Sequence, residues 1–477
     1  MTSCIEYVLV QTGGLIALPQ PLGDARPIQP PEHEEGTPVP GASWLRGPGP
    51  EPRPVPILKP HWIVRTARVA PRRFSVPSST MRHPLHSGPA AVSLLAAFIL
   101  GCSGDTLEPA PGTTTASLAA GERHACLARA TRTWCWGAGS DGQLGVGVTP
   151  TAAAPTELPD SIEFVALTAG QLHTCGLDRE GLAFCWGSDR DGQLGLGAPA
   201  AERCGVFNCA TRPQPVAGGL RFQALAAGAR STCGLTTAHM VYCWGLNSLG
   251  QLGTADAVEQ CEDGPCSRTP LAEGSGRSFV SLTAARMHAC ALDADGVAFC
   301  WGFLAVPVAG KHTEPSFQPN AAPVEGFRFR QLSAGTRHTC GVTSDGRAYC
   351  WGADAVGAGP DLLEADHPVA VTGGIRFRSV HSGSLSSCGL DDSGAAFCWG
   401  ANVSGEVGTT PVGGTQVFDH PVAVSGGLTF RALEAGSSTY CGITDDERIA
   451  CWGRGEFGEL GAGNANSVAP VFVAGVE

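Results

Sequence analysis

The sequence predicts an all-β chain, a seven-bladed β-propeller, and three observations carry the prediction. Cys-Trp-Gly occurs at 135–137, 185–187, 243–245, 300–302, 350–352, 398–400 and 451–453, at intervals of 48 to 58 residues. Each copy follows another cysteine, nine residues earlier in the first and ten in the other six. The composition, 65 Gly and 36 Pro in 477 residues against 4 Met and 16% charged residues, supplies turns in excess and excludes a helical bundle.

The first hundred residues stand outside this pattern. Fifteen of the 36 prolines lie in residues 1–80, with no apolar periodicity to offset the entropy of ordering. This stretch reads as disordered, or as an upstream extension that is never translated. From Met81 the chain has a basic start, an apolar run from Ala90 to Leu100, and Gly101-Cys102. That is the layout of a secretory signal. Its Ile99-Leu100-Gly101-Cys102 ending resembles the lipobox of bacterial lipoproteins, with Ile99 where Leu is usual; the alternative is a short buried helix ending in Gly-Cys. On the lipoprotein reading translation starts at Met81, Cys102 carries the lipid, 103–114 is a tether, and the propeller spans 115–477. A membrane contact would then come from the lipid, since no run of 18 apolar residues exists.

Within the repeats, Leu167-Thr168-Ala169-Gly170 leads into His173-Thr174-Cys175-Gly176-Leu177, then Gly181, then Cys185-Trp186-Gly187, then Gly192-Gln193-Leu194-Gly195. Short apolar runs broken by Asp-Gly or Glu-Gly are hairpins, and a further strand bearing Pro-Val (215–216, 421–422, 470–471) gives about four strands per unit. One such sheet would leave both faces exposed, whereas radial stacking buries them. A linear solenoid would have shorter repeats and fewer hairpins. The strand before Cys126 and the terminal segment 470–476 are expected to share one blade, which would tie the chain ends together and remove an edge.

These residues resemble the regulator of chromosome condensation repeat family, whose marks include Ala-Gly-x-x-His-(Ser/Thr) and Trp-Gly-x-Asn-x-x-Gly-Gln-Leu-Gly. The stretch from Trp244 through Asn247 to Gly253 matches the second mark fully; the copies after Trp301 and Trp351 keep little of it. The resemblance covers about 115–477 and implies seven blades. It implies no single function, because the family hosts exchange factors, ligase-linked domains and secreted inhibitors.

Cysteines ten apart around a central turn face each other across a hairpin, within disulfide reach. Seven cross-strand bridges follow: Cys126–Cys135, Cys175–Cys185, Cys233–Cys243, Cys290–Cys300, Cys340–Cys350, Cys388–Cys398 and Cys441–Cys451. Cys204/Cys209 and Cys261/Cys266 are expected to staple loops in two long insertions. With Cys102 lipidated and Cys4 in the N-terminal stretch, no thiol remains unpaired in the mature part. Zinc is the rival reading, but one hairpin supplies only two ligands. No cofactor or metal is expected.

No nucleophile elbow, zincin, Walker or dinucleotide motif occurs in a supporting context, so no catalytic residue is assigned. His124, His173, His288 and His338 recur at one position, as a structural hydrogen-bonding residue would. Asp189-Arg190-Asp191-Gly192 and Asp293-Ala294-Asp295-Gly296 lack the distal carboxylate of a calcium loop and read as turns. The repeated tryptophans are expected to fill the seams between blades. Just before each His-like residue the sequence varies, with Arg123, Arg230, Met287 and Arg337 among the seven. These side chains are expected near the central funnel, where arginines could take a carboxylate-rich partner or an anionic ligand; pairing within the protein is the competing expectation.

Net charge is −12. Residues 1–102 hold nine basic and six acidic side chains, so the remainder carries −15. A phosphate-tracking surface is not expected, nor is nucleic acid as partner. The function expected is an exported, lipid-anchored protein-binding scaffold at the bacterial cell envelope, periplasmic or at the surface, not an enzyme. The alternative is a propeller lyase or hydrolase with a funnel-mouth site. Guanine-nucleotide exchange ranks last, since export removes the GTPase.

Overall fold

The computed structural model describes residues 116–256, 259–304, 316–353, 357–359, 365–410 and 417–476. The 1–80 extension, the 81–102 signal with Cys102, and the 103–114 tether lie outside the described residues. Within them thirty strands form seven antiparallel sheets, and there is no helix.

Blade 1 sets the pattern: Ser117–Ala120, His124–Arg129, Arg132–Gly137 and Ala152–Glu157, each paired with the next. The others span 164–215, 222–272, 281–323, 329–370, 377–423 and 430–472. The second strand of each blade is buried almost throughout, because both faces of its sheet are covered by neighbouring blades. That is why His124–Arg129 reads as a nearly continuous small and apolar run instead of an alternating one.

Six of the seven seams are filled by an aromatic pair. Trp186, Trp244, Trp301, Trp399 and Trp452 are fully buried, and Trp351 nearly so. Each packs on a phenylalanine from the first strand of its own blade or the turn before it, as in Phe164–Trp186 at 5.4 Å and Phe430–Trp452 at 5.6 Å between ring centroids. Trp186 lies in one apolar cluster with Cys126, Cys135 and Leu144 of blade 1. The glycine after the first cysteine makes room for the ring: a Cβ on Gly176 would stand 2.4 Å from Phe164.

The two insertions correct the expectation of stapled loops. Glu202–Cys204 pairs with Phe207–Pro215, and Glu259–Cys261 with Gly264–Ala272, so blades 2 and 3 have five strands. Cys209 and Cys266 therefore stand inside strands, not in loops. Cys209 lies between Glu202 of the added strand and Ser188 of the blade, and Cys266 between Glu259 and Leu246. Both are buried. The physical reason is that the inserted backbone satisfies its N–H and C=O groups by extending the sheet, which a free loop could do only through solvent. Both bridges, Cys204–Cys209 and Cys261–Cys266, also run diagonally. In the ladder Cys204 faces Phe207 and Cys261 faces Gly264, two positions short of the partner cysteine in each case.

Ring closure departs from the expected shared blade. Blade 1 is built entirely from 117–157 and blade 7 from 430–472. Ser467–Phe472 is already paired with Ile449–Gly453, Cys451 facing Val471, and is not free to leave its own sheet. The ends are joined face to face instead: Leu118, Leu127 and Trp136 pack with Ile443, Ile449, Leu460 and Val476. Trp136 Nε1 donates to Glu459 O (2.8 Å) and Arg129 Nη1 to Val476 O (2.8 Å).

Candidate functional site: the central channel and its rim

The first strand of each blade lines the axis, and most end in a glycine for a steric reason. A Cβ would stand 2.5 Å from the Gly170 carbonyl oxygen at Gly121, 2.3 Å from Gly228 O at Gly170, and 2.3 Å from Gly121 O at Gly436. The strands approach too closely there for any side chain. Blade 4 alone has Ala285 at this position.

Three residues beyond stand the His-like positions. His124 Nε2 meets Thr174 Oγ1 of the next blade at 2.8 Å, His173 meets Thr232 at 2.9 Å, His288 meets Thr339 at 2.8 Å and His338 meets Ser387 at 2.8 Å. Thr174 in turn donates to Gln143 O and Thr232 to Gln193 O. The same carbonyls receive Trp186 Nε1 (3.0 Å) and Trp244 Nε1 (2.9 Å), so the Gly-Gln-Leu-Gly turn is a socket for the next blade's indole. These histidines tie blade to blade, and burial lowers His124, His288 and His338 to about 4 and His173 to about 3.

The predicted rim residues lie one position away from the channel wall. Its mouth is lined by Glu122, Gln171, Arg286, Thr336 and Ser384, each preceding the variable position. Arg123, Arg230, Met287 and Arg337 anchor the rim through their backbone: their carbonyls accept from Ala138 N, Leu246 N, Phe303 N and Ala353 N at 2.7–3.0 Å. The Arg123 guanidinium lies 4.6 Å over the Phe457 ring and 3.6 Å from Glu122. Arg230 is held by Asp263, at the tip of the second stapled hairpin, and by Asp191 at 3.5 Å; Asp263 also receives Arg190 at 2.6 Å. This network locks the hairpin of blade 3 onto the turn of blade 2, a connection invisible in the sequence because its members lie up to 73 residues apart. Met287 is half-buried and Arg337 exposed.

Deeper in the channel a cavity of about 310 Å³ is walled by small and aliphatic side chains, with Thr168, Thr283 and Ser333, and by two titratable groups, His381 and Glu434. Sequence reasoning overlooked this pair, although both stand in the register of Thr168, two residues before the terminal glycine. Among the described residues no group of three His, Cys, Asp or Glu side chains could hold a metal.

All eighteen cysteines of the described region are paired. The seven intrablade pairs are directly opposed, with Cα atoms 4.0–4.1 Å apart. The diagonal bridges Cys204–Cys209 and Cys261–Cys266 span 5.7 and 5.9 Å.

The Regulator of chromosome condensation (RCC1) repeat matches residues 132–177, 180–235 and 239–292, and a second description of the same repeat matches 164–193, 222–251 and 329–358. The Ultraviolet-B receptor UVR8 of Arabidopsis thaliana is 26% identical over 172 residues, 35% of this chain; the match spans about a third (36%) of that protein's length. Human WBSCR16 superposes with a TM-score of 0.63 at 18% identity, over 73% of this chain and 94% of that one. Prp20p of Saccharomyces cerevisiae, whose structure was described with its binding properties to Gsp1p and histones, gives 0.60 at 22% identity, over 72% and 86%. The repeats, the seven sheets and these likenesses agree: the chain is a seven-bladed propeller carrying regulator of chromosome condensation (RCC1) repeats.

Proposed function

We propose that this protein is an exported, lipid-anchored binding propeller of the bacterial cell envelope, recruiting a protein partner through the rim that carries Arg123, Arg230, Met287 and Arg337. The observation that supports export most is the oxidation of every cysteine between 116 and 476 into nine bridges. Such a density persists where thiols are not kept reduced. Cys102, following an apolar run and Gly101, is the residue to carry the lipid. Binding as the role draws support from the rigid, cross-linked ring, which holds unlike loops of seven blades on one face. Relatives of this shape, such as Prp20p with Gsp1p and histones, are described as binding proteins.

The rim would meet a carboxylate-rich partner through Arg123 and Arg337, with Arg230 fixing the hairpin platform beside them. Intact-mass analysis of protein recovered from its native envelope, joined to affinity capture, tests both halves. A lipidated N-terminus at Cys102 is expected, together with loss of capture in an Arg123/Arg230/Arg337→Ala triple variant. An N-terminus at Met1 would discard the anchor, and undiminished capture by the variant would discard the rim.

A further inference from the structure

The channel cavity carries a site of its own. At the register two residues before the terminal glycine, or before Ala285 in blade 4, Thr168, Thr283 and Ser333 close the seams: their hydroxyl oxygens accept from Ala227 N (2.9 Å), Ala334 N (3.1 Å) and Ser382 N (2.8 Å) of the next blade. His381 and Glu434 occupy the same register in blades 6 and 7 and make no such bond. His381 Nε2 is within 3.1 Å of Ser379 Oγ. The Ser379 hydroxyl can accept from Nε2–H, and in that tautomer Nδ1 keeps its lone pair. The Glu434 carboxyl makes no hydrogen bond or ion pair with any described residue, and both side chains face the same cavity of about 310 Å³.

Among the described residues no Lys or Arg lines this cavity. Ala119 and Ala120 of blade 1 share the wall, and the rest of it is aliphatic or hydroxylic apart from the Gln331 carboxamide, which is bonded to Val380 O and Val380 N. The charged groups Glu122, Arg286 and Arg454 line the mouth, where Arg454 is 3.0 Å from Glu459 and Glu122 is 3.6 Å from Arg123. A carboxyl and an imidazole facing a pocket otherwise lined by small aliphatic, hydroxyl and backbone groups complement a compact cation that donates N–H bonds. Two ligands do not suffice for a metal.

We propose that the channel binds a small organic ammonium ion, with Glu434 as its counter-charge and His381 as hydrogen-bond acceptor. Burial raises Glu434 to about 8 and lowers His381 to about 4, so both are neutral at pH 7. A bound ammonium would ionise Glu434 and expel its proton. The inference is independent of export and of the rim.

Calorimetric titration of the full-length oxidised protein with n-butylammonium, and with n-butanol as neutral control, tests it. Saturable binding of the ammonium alone is expected, releasing close to one proton at pH 7, as buffers of different ionisation enthalpy will reveal, and almost none at pH 9. Glu434→Gln should weaken binding by at least about tenfold and abolish proton release. His381→Ala should weaken binding and leave the release intact. Absence of saturable binding, equal affinity for n-butanol, or unchanged affinity in Glu434→Gln would overturn the assignment. If Glu434→Gln does not fold, proton release that fails to decline between pH 7 and 9 in the wild-type protein overturns it equally.

Discussion

His173 is fully enclosed, its Nε2 bonded to Thr232 and its Nδ1 buried without a partner. Charging the ring in place would put a cation where nothing receives it, so the folded ring titrates near 3 against 6.5 when exposed. The unfolded chain therefore binds more protons below pH 6.5, and this histidine's contribution to stability is complete above that pH and is lost as pH falls toward 4. His124, His288 and His338 act in the same direction, each worth roughly 3 kcal/mol at the extreme. Urea midpoints should thus drop steeply between pH 6.5 and 4, and His173→Gln should flatten the drop; parallel curves for variant and wild type would refute this account. Glu434 has the opposite sign. Its raised folded value means stability is present below pH 4.5 and is eroded as pH climbs through about 8. Glu434→Gln is expected to gain stability at pH 8 relative to wild type and little at pH 4.5.

At the scale of the blade, two devices carry the fold. The bridge across the second and third strands closes a loop of about ten residues, for which chain entropy gives about 2–3 kcal/mol. A Cys175→Ala/Cys185→Ala variant should lose about that much, read as a lowered chemical-denaturation midpoint; no shift at all would mean that packing of the buried pair, not the cross-link, holds the hairpin. The second device is the ring of glycines at the strand ends. Gly170→Ala would press a methyl into the Gly228 carbonyl, 2.3 Å away, and should destabilise by about 1–3 kcal/mol. Blade 4 already bears Ala285 there. Among the described residues no hydrogen bond from Arg286 N to blade 5 accompanies the Glu122 N–Gly170 O (3.1 Å) and Thr336 N–Gly383 O (3.3 Å) bonds of other seams. Ala285→Gly is accordingly expected to leave stability nearly unchanged.

The whole ring depends on a seam without a shared strand. Blades 1 and 7 meet through Trp136, Leu118 and Ile443, Val473 and Val476, with Arg129 reaching Val476 O and Glu447 O. Deleting residues 473–477 would uncover this face, so the truncated protein should melt lower and exchange amide protons faster in strands 117–120 and 439–444 than in blade 4. Uniform loss of protection around the ring would instead indicate that all blades unfold as one unit. Cross-linking within each blade makes the second outcome less favourable, because no bridge connects two blades.

The amino-acid sequence determined the repeat, the number of blades, the opposition of the cysteines and the place of the tryptophans. Each of these is a local relation, repeated seven times at spacings that a hairpin imposes, so Cys175, Cys185 and Trp186 could be read without coordinates. The recurring histidines were legible on the same ground, though not their threonine partners a blade away. The pairing of Cys204 with Cys209 and of Cys261 with Cys266 was legible from proximity in the chain. That Cys209 and Cys266 sit in strands was not, because an added strand exists only where the edge of the blade is there to receive it. Tertiary structure alone decided what involves a single copy or two distant ones: the lock of Arg230 on Asp263, the closure of the ring by faces instead of a common sheet, and the placing of His381 and Glu434 on one cavity. The channel also showed which of two neighbouring positions faces the axis, since a strand turns its side chains to opposite sides at each step and the repeat is indifferent to which side is inward until the blades are set around the axis.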